Sequence, residues 1–180
     1  MVQEKVEMPE GIQAEVQGKI VTLKSASGSV SRKIRAKNVS VRQDGNAVAI
    51  DALDEKKKTR VIVNTIKSHL KNMIEGLQKG FRYRLEVTYS HFPMTLAVKG
   101  NVVEITNFLG EKKPRKAKIV GFAKVEIKGK EITVSGVNKE EVGQTAANLE
   151  QTTRVKGKDW RVFQDGVYLV ETGNIPEGKK

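Results

Sequence analysis

The sequence predicts an α+β protein made of two tandem duplicated units, each a small antiparallel sheet with one helix packed on a face. Three observations carry this expectation: β-branched runs separated by glycine turns, two stretches where the apolar period changes from two to about 3.6, and a nearly constant offset between the halves. The division falls at residues 1–80 and 81–180.

Residues 1–10 mix charges around Pro9 and read as a loose arm or an edge strand. Residues 14–23 place two β-branched runs on either side of Gly18, a hairpin. After a loop at 25–29, the basic run 32–37 leads into Val39 and Val41, and Asp44-Gly45-Asn46 turns the chain into 47–50, a second hairpin. From Lys58 to Leu77 the apolar residues Ile62, Ile66, Leu70, Met73 and Leu77 recur at helical spacing, and Gly80 is the stop. Lys67, Lys71 and Lys79 form its solvated face. Residues 81–89 alternate apolar and polar side chains, a strand expected to link or edge the two units.

Beyond His91-Phe92-Pro93 the first half begins again. Residues 96–105 repeat the 14–23 hairpin with Gly100 lying 82 positions after Gly18, Gly110 keeps that offset from Gly28, and Gly129 follows Gly45 by 84. A second helix over 139–152 turns Val142, Ala146 and Leu149 to one side, with Glu140 and Glu141 at its start, where negative charge suits the helix dipole. Each core is small, so the units are expected to lean on an interface or a partner.

The chain of 180 residues carries 33 Lys+Arg against 21 Asp+Glu, a net charge of +12, and a field of this size draws polyanions or anionic membranes. Each half contributes equally, 15 against 9 over residues 1–80 and 18 against 12 over 81–180. Neither is a basic tail on a neutral body. The absence of Cys removes disulfides, thiolate zinc sites and thiol nucleophiles together, which is compatible with a reducing compartment. No run is long and apolar enough for a membrane helix, and the first eight residues lack a leader pattern, so a cytoplasmic location is expected.

Catalytic patterns are missing. His69 falls in the first helix, His91 in a loop where it either touches phosphate or makes a local turn bond, and Asp44-Gly45 and Asp165-Gly166 read as turns. No glycine-rich phosphate loop or metal-ligand spacing occurs, so neither a cofactor nor a metal is expected.

Cationic loops are the positive signal. Arg154, Lys156, Lys158 and Arg161 fall within eight residues around Gly157, with the chain's one tryptophan, Trp160, among them. Glycine lets backbone approach a phosphate closely, and a planar guanidinium engages it with two parallel hydrogen bonds. A second run, Lys112, Lys113, Arg115, Lys116 and Lys118 around Pro114, is expected at the position that 32–37 holds in the first unit. The alternative is a solvated rim around core aromatics Trp160, Phe163 and Tyr168. With no deep groove or stacking platform evident, folded RNA recognised by shape is the favoured polyanion.

Gln151, Val155, Lys158, Arg161, Phe163, Asp165-Gly166, Val167, Tyr168 and Leu169 resemble the closing motif of the large-subunit ribosomal protein six family, in its archaeal and eukaryotic branch. Asn107-Phe108-Leu109-Gly110-Glu111-Lys112 and His91-Phe92-Pro93 are also similar to that branch. One departure is Thr172, where the motif usually closes with a cation. The resemblance implies a non-enzymatic, architectural protein of the cytoplasmic ribosome. Its implied partners are large-subunit rRNA near the sarcin-ricin region, neighbouring proteins of the stalk base, and translation factors close by. It also implies that Lys156, Gly157, Lys158 and Arg161 are the leading rRNA contacts with Arg154 next, that Phe163 and Tyr168 pack to fix the loop, and that the second unit carries the main rRNA surface. Rivals are a free RNA chaperone, an enzyme acting on RNA, and an anionic membrane, the last disfavoured because the cations sit on β-loops.

Overall fold

The computed structural model describes residues 3–54, 56–89, 91–159 and 161–175. The expectations for Trp160 and for the tail beyond Ile175 fall outside the described residues. The chain divides into two compact units, Met1–Lys79 and Gly80–Lys180.

In the first unit, β1 (Gln3–Glu7), β2 (Gln13–Gln17), β3 (Ile20–Ser25), β4 (Gly28–Lys33), β5 (Val39–Asp44) and β6 (Ala47–Ala52) precede α1 (Lys57–Gln78). They form two antiparallel sheets, ordered β2-β3-β4 and β1-β6-β5. In the second unit, β7 (Phe81–Thr88), β8 (Thr95–Lys99), β9 (Val102–Thr106), β10 (Arg115–Lys118), β11 (Lys124–Lys128) and β12 (Glu131–Gly136) precede α2 (Lys139–Thr152) and a last strand, β13 (Gly166–Asn174). Their sheets are β8-β9-β10 and β11-β12-β7-β13. The duplicated α+β plan therefore holds, with two sheets per unit and one helix. What the second unit adds is the segment after its helix: a loop from 153 to 165 and the strand β13.

The repeat is visible in backbone geometry. The hairpin glycines Gly18 and Gly100 have φ of 62° and 59°, and Gly45 and Gly129 have 58° and 62°, the left-handed values that such tight turns require. Val21 and Leu23 on β3 are fully buried, as are Val103 and Ile105 on β9 at the same offset. By β10 the offset has grown to 85. The Ile34 amide donates to the Lys19 carbonyl at 2.7 Å, and its counterpart is Ile119 donating to Asn101 at 2.9 Å. The β3–β4 turn is two residues, whereas 107–114 separate β9 from β10 and include a short 3-10 turn at Phe108–Gly110. The expected match of the two basic runs is thus corrected: Lys118 stands at the place of Lys33, and Lys112, Lys113 and Arg115 precede the segment equivalent to 32–37.

Three further expectations change. The strand β7 is neither a linker nor an edge, since it pairs with β12 on one side and β13 on the other, Tyr83 opposite Val134 and Leu85 opposite Leu169. Its alternation of buried Phe81, Leu85 and Val87 with outward polar residues turns one face of the strand to the core. In α1 the buried stripe is Thr59, Val63, Ile66, Leu70, Met73 and Leu77, while Ile62 is 38% exposed. At roughly 100° per residue, Ile62 lies about 80° from Leu70 around the helix and Val63 only about 20°. Lys67 is not simply solvated: its Nζ lies 2.7 Å from Glu4, tying α1 to the edge strand β1.

The remaining boundaries agree. Gly80 follows the α1 C-cap with φ of 69°. Val142, Ala146 and Leu149 are buried on α2 with Thr145, and the Asn138 side chain accepts the Glu140 amide at 3.1 Å as N-cap.

Candidate nucleic-acid interface

The cationic loop is fastened at both ends before it carries any charge. The buried hydroxyl of Thr153 donates back to the Leu149 carbonyl at 3.2 Å and accepts the Val167 amide at 2.9 Å, joining the end of α2 to the start of β13. Gly157 turns with φ of 70°. The Asp159 carboxylate accepts the Arg161 amide at 2.9 Å, and its carbonyl accepts Phe163 at 2.9 Å and Val162 at 3.2 Å, closing a compact turn.

The far end of the loop is pinned from across the unit. Asp165 is 1% exposed, and its Oδ1 accepts the backbone N–H of His91 at 3.1 Å. Nδ1 of His91 lies 2.8 Å from Oδ2, so the tautomer carrying Nδ1–H donates to the carboxylate. The imidazole stacks on Phe163, centroids 4.5 Å apart and planes 23° from parallel. Lys158 in turn sets its Nζ 4.4 Å from the Phe163 centroid. Asp165-Gly166 is thus more than a turn, and His91 makes a contact 74 residues away in place of a local one. Nothing in either local sequence marks this pairing.

Arg154, Lys156, Gly157, Lys158 and Arg161 are all exposed. Among the described residues, no carboxylate pairs with Arg154, Lys156 or Lys158. Fixed backbone with unneutralised cations is the arrangement that a phosphate chain needs.

The second basic run divides in two. Lys112 and Lys113 are exposed in the β9–β10 connection, and Lys116 and Lys118 alternate outward on β10. Lys116 shares Glu104, at 3.5 Å, with Lys99 at 2.6 Å. Arg115, unlike the four lysines expected beside it as rRNA contacts, faces inward with Ala117. Its guanidinium grips Glu111 with bonds of 2.8 and 2.6 Å, donates to the carbonyls of Thr152 at 2.8 Å and Arg154 at 3.3 Å, and lies 4.1 Å from the Phe108 ring centroid. These bonds hold the Glu111 carboxyl below its usual range. Strand parity, not charge, decided its role, and Arg115 is the joint where the two cationic segments meet.

Phe163 packs as expected. Tyr168 does so only in part, because β13 parity buries Val167 and turns Tyr168 outward, leaving it 43% exposed with its hydroxyl donating to the Gln164 carbonyl at 3.0 Å. Thr172 is exposed on β13 and opposes Tyr83.

His91 and Asp165 form a hydrogen-bonded pair. No group of three or more His, Cys, Asp or Glu is assembled among the described residues. No described helix is long and apolar enough to cross a membrane.

The class is that of duplicated α+β scaffolds that present a braced, exposed cationic loop, here with His91 and Asp165 among its supports. Within that class the chain belongs to a particular family. The model of that family, described as Ribosomal protein L6, matches residues 8–80 and 92–166, once in each unit. The chain is 47% identical to the large ribosomal subunit protein uL6 of Methanobrevibacter smithii over 94% of this chain and 95% of that one. It is 44% identical to uL6 of Methanococcus vannielii, over 95% and 94%, and 47% identical to that of Natronomonas pharaonis, over 93% and 95%. The family is structural and not enzymatic.

Proposed function

We propose that this protein is a structural constituent of the large ribosomal subunit in the cytoplasm, and that it grips large-subunit rRNA through the 154–161 loop. The exposed Lys112, Lys113, Lys116 and Lys118 extend the same contact. The family's names support the ribosomal role, and the resemblance of residues 151–169 supports a position near the sarcin-ricin region and the base of the factor-binding stalk. There the protein would neighbour other ribosomal proteins and help to shape the surface that translation factors meet.

The observation that carries the RNA contact is a braced loop whose cations Arg154, Lys156 and Lys158 have no carboxylate partner among the described residues. Such a loop meets phosphates with little ordering cost on binding. With about six phosphates neutralised, affinity falls with salt on a log-log slope of roughly −4 to −5.

The test is co-sedimentation with large subunits across a salt series, with Lys156, Lys158 and Arg161 replaced together by Ala. Release of the variant at moderate salt, with its circular dichroism unchanged, is the expected result. Full occupancy would refute the placement. Chemical footprints on whole subunits separate this reading from a free RNA chaperone, because only a docked protein protects one confined region.

A further inference from the structure

A groove of about 820 Å³ opens beside the cationic loop, between the end of α2 and the start of β13. Its apolar wall is formed by Val155, Val167, Phe163 and Tyr168. The Phe163 ring already carries His91 and Lys158, so the aromatic surface left for a ligand belongs to Tyr168. That ring is held still: its hydroxyl is bonded to the Gln164 carbonyl, and it backs onto Gly166, where a β-carbon would come within 3.3 Å of it.

The polar residues of the groove are of four kinds, of which the hydroxyls of Thr88 and Thr153 are one, that of Thr153 being already bonded to Leu149 and Val167. Gln151 and Gln164 offer amides, which both donate and accept. Glu150 is the one carboxylate among the described lining residues, an acceptor suited to an exocyclic amine. Arg154 and Lys158, both exposed, supply positive charge. An aromatic platform, hydrogen-bonding amides and flanking cations are together what an extruded nucleotide requires, with its base inside and its phosphates outside.

We propose that this groove receives one unstacked, amino-bearing nucleobase of RNA, stacked on Tyr168, with Arg154 and Lys158 on the adjoining phosphates. The inference rests on the rRNA-binding reading and goes beyond it, since recognition by shape alone needs no base site. It also replaces the expectation, drawn from the sequence, that no stacking platform exists.

The experiment uses the full chain and transcribed large-subunit rRNA from the same organism. Affinity is measured at several salt concentrations for the wild type, Tyr168→Ala, Tyr168→Phe and Val155→Phe, and each complex is probed with dimethyl sulfate at adenine N1 and cytosine N3 and with kethoxal at guanine N1 and N2. Tyr168→Ala removes the platform and Val155→Phe fills the groove without touching Tyr168. Each is expected to lose about tenfold in affinity with an unchanged salt slope, because no cation is removed. Tyr168→Phe should stay within about twofold, since it keeps the stacking face. One unpaired adenine, cytosine or guanine should be protected by the wild type and reactive again in the Tyr168→Ala complex. If Tyr168→Ala and Val155→Phe both bind like the wild type, or if no base edge is protected, the groove takes no base. If the wild type itself does not bind the rRNA, the reading beneath the inference fails with it.

Discussion

Nδ1 of His91 stands 2.8 Å from Oδ2 of Asp165, joining the turn after β7 to the end of the cationic loop across 74 residues. The carboxylate is 1% exposed, and the imidazole above it also carries Phe163. This contact sets where the loop leaves the scaffold, and with it the position of Lys158.

His91→Ala is therefore expected to cost about 1–3 kcal/mol in the second unit, because a buried carboxylate loses one of its donors. Urea denaturation followed by circular dichroism measures the loss. His91→Asn, which can still donate to Asp165 but cannot stack, should recover part of it. Equal stability of the alanine variant and the wild type would show that the pair supports nothing.

The grip of Arg115 on Glu111 predicts a response to acid. The Glu111 carboxyl is lowered chiefly by its hydrogen bonds from Arg115. A depressed carboxylate contributes stability that is present above its unfolded pKa and lost as pH falls through the folded one. Wild type should thus lose more stability than Glu111→Gln as pH drops below about 4. Glu111 is 42% exposed, so the difference should stay under about 1 kcal/mol. Parallel acid titrations followed by thermal melts read it, and coincident curves would sink the assignment.

The corrected face of α1 separates two neighbouring residues. Val63 is 1% exposed and Ile62 is 38% exposed. Val63→Ala should destabilise the first unit by about 2 kcal/mol through lost burial and a residual cavity, whereas Ile62→Ser should fall within about 0.5 kcal/mol of wild type. The reverse order in denaturant melts would restore the face read from spacing alone.

Single cations should be countable in rRNA binding. Lys156→Ala should reduce the log-log salt slope by a little under one, as each phosphate contact contributes about that much. Arg115→Ala should leave the slope nearly unchanged while lowering stability, because its donors are engaged inside the unit. Filter binding over a salt series distinguishes them. A full unit of slope lost at Arg115 would return it to the phosphate contacts.

Local pattern was sufficient for much of the fold. Alternation marked the hairpins around Gly18, Gly45, Gly100 and Gly129, a 3.6-residue period marked α2 with its buried Val142, Ala146 and Leu149, and a nearly constant offset revealed the duplication. These are short-range properties, written in neighbouring residues. The clustering of Lys156, Lys158 and Arg161 around Gly157 was legible for the same reason.

Tertiary structure decided which charges face outward and what holds them. Arg115 and Lys116 are adjacent and both cationic, yet strand parity turns one toward Glu111 and the end of α2 and the other toward solvent. Pairing on both sides made β7 central, although its own alternation fits an edge equally well. The His91–Asp165 bond and the groove beside Tyr168 arise from contacts between distant segments. Side-chain identity states what a residue can bind, but only the packed backbone fixes which partner lies within reach.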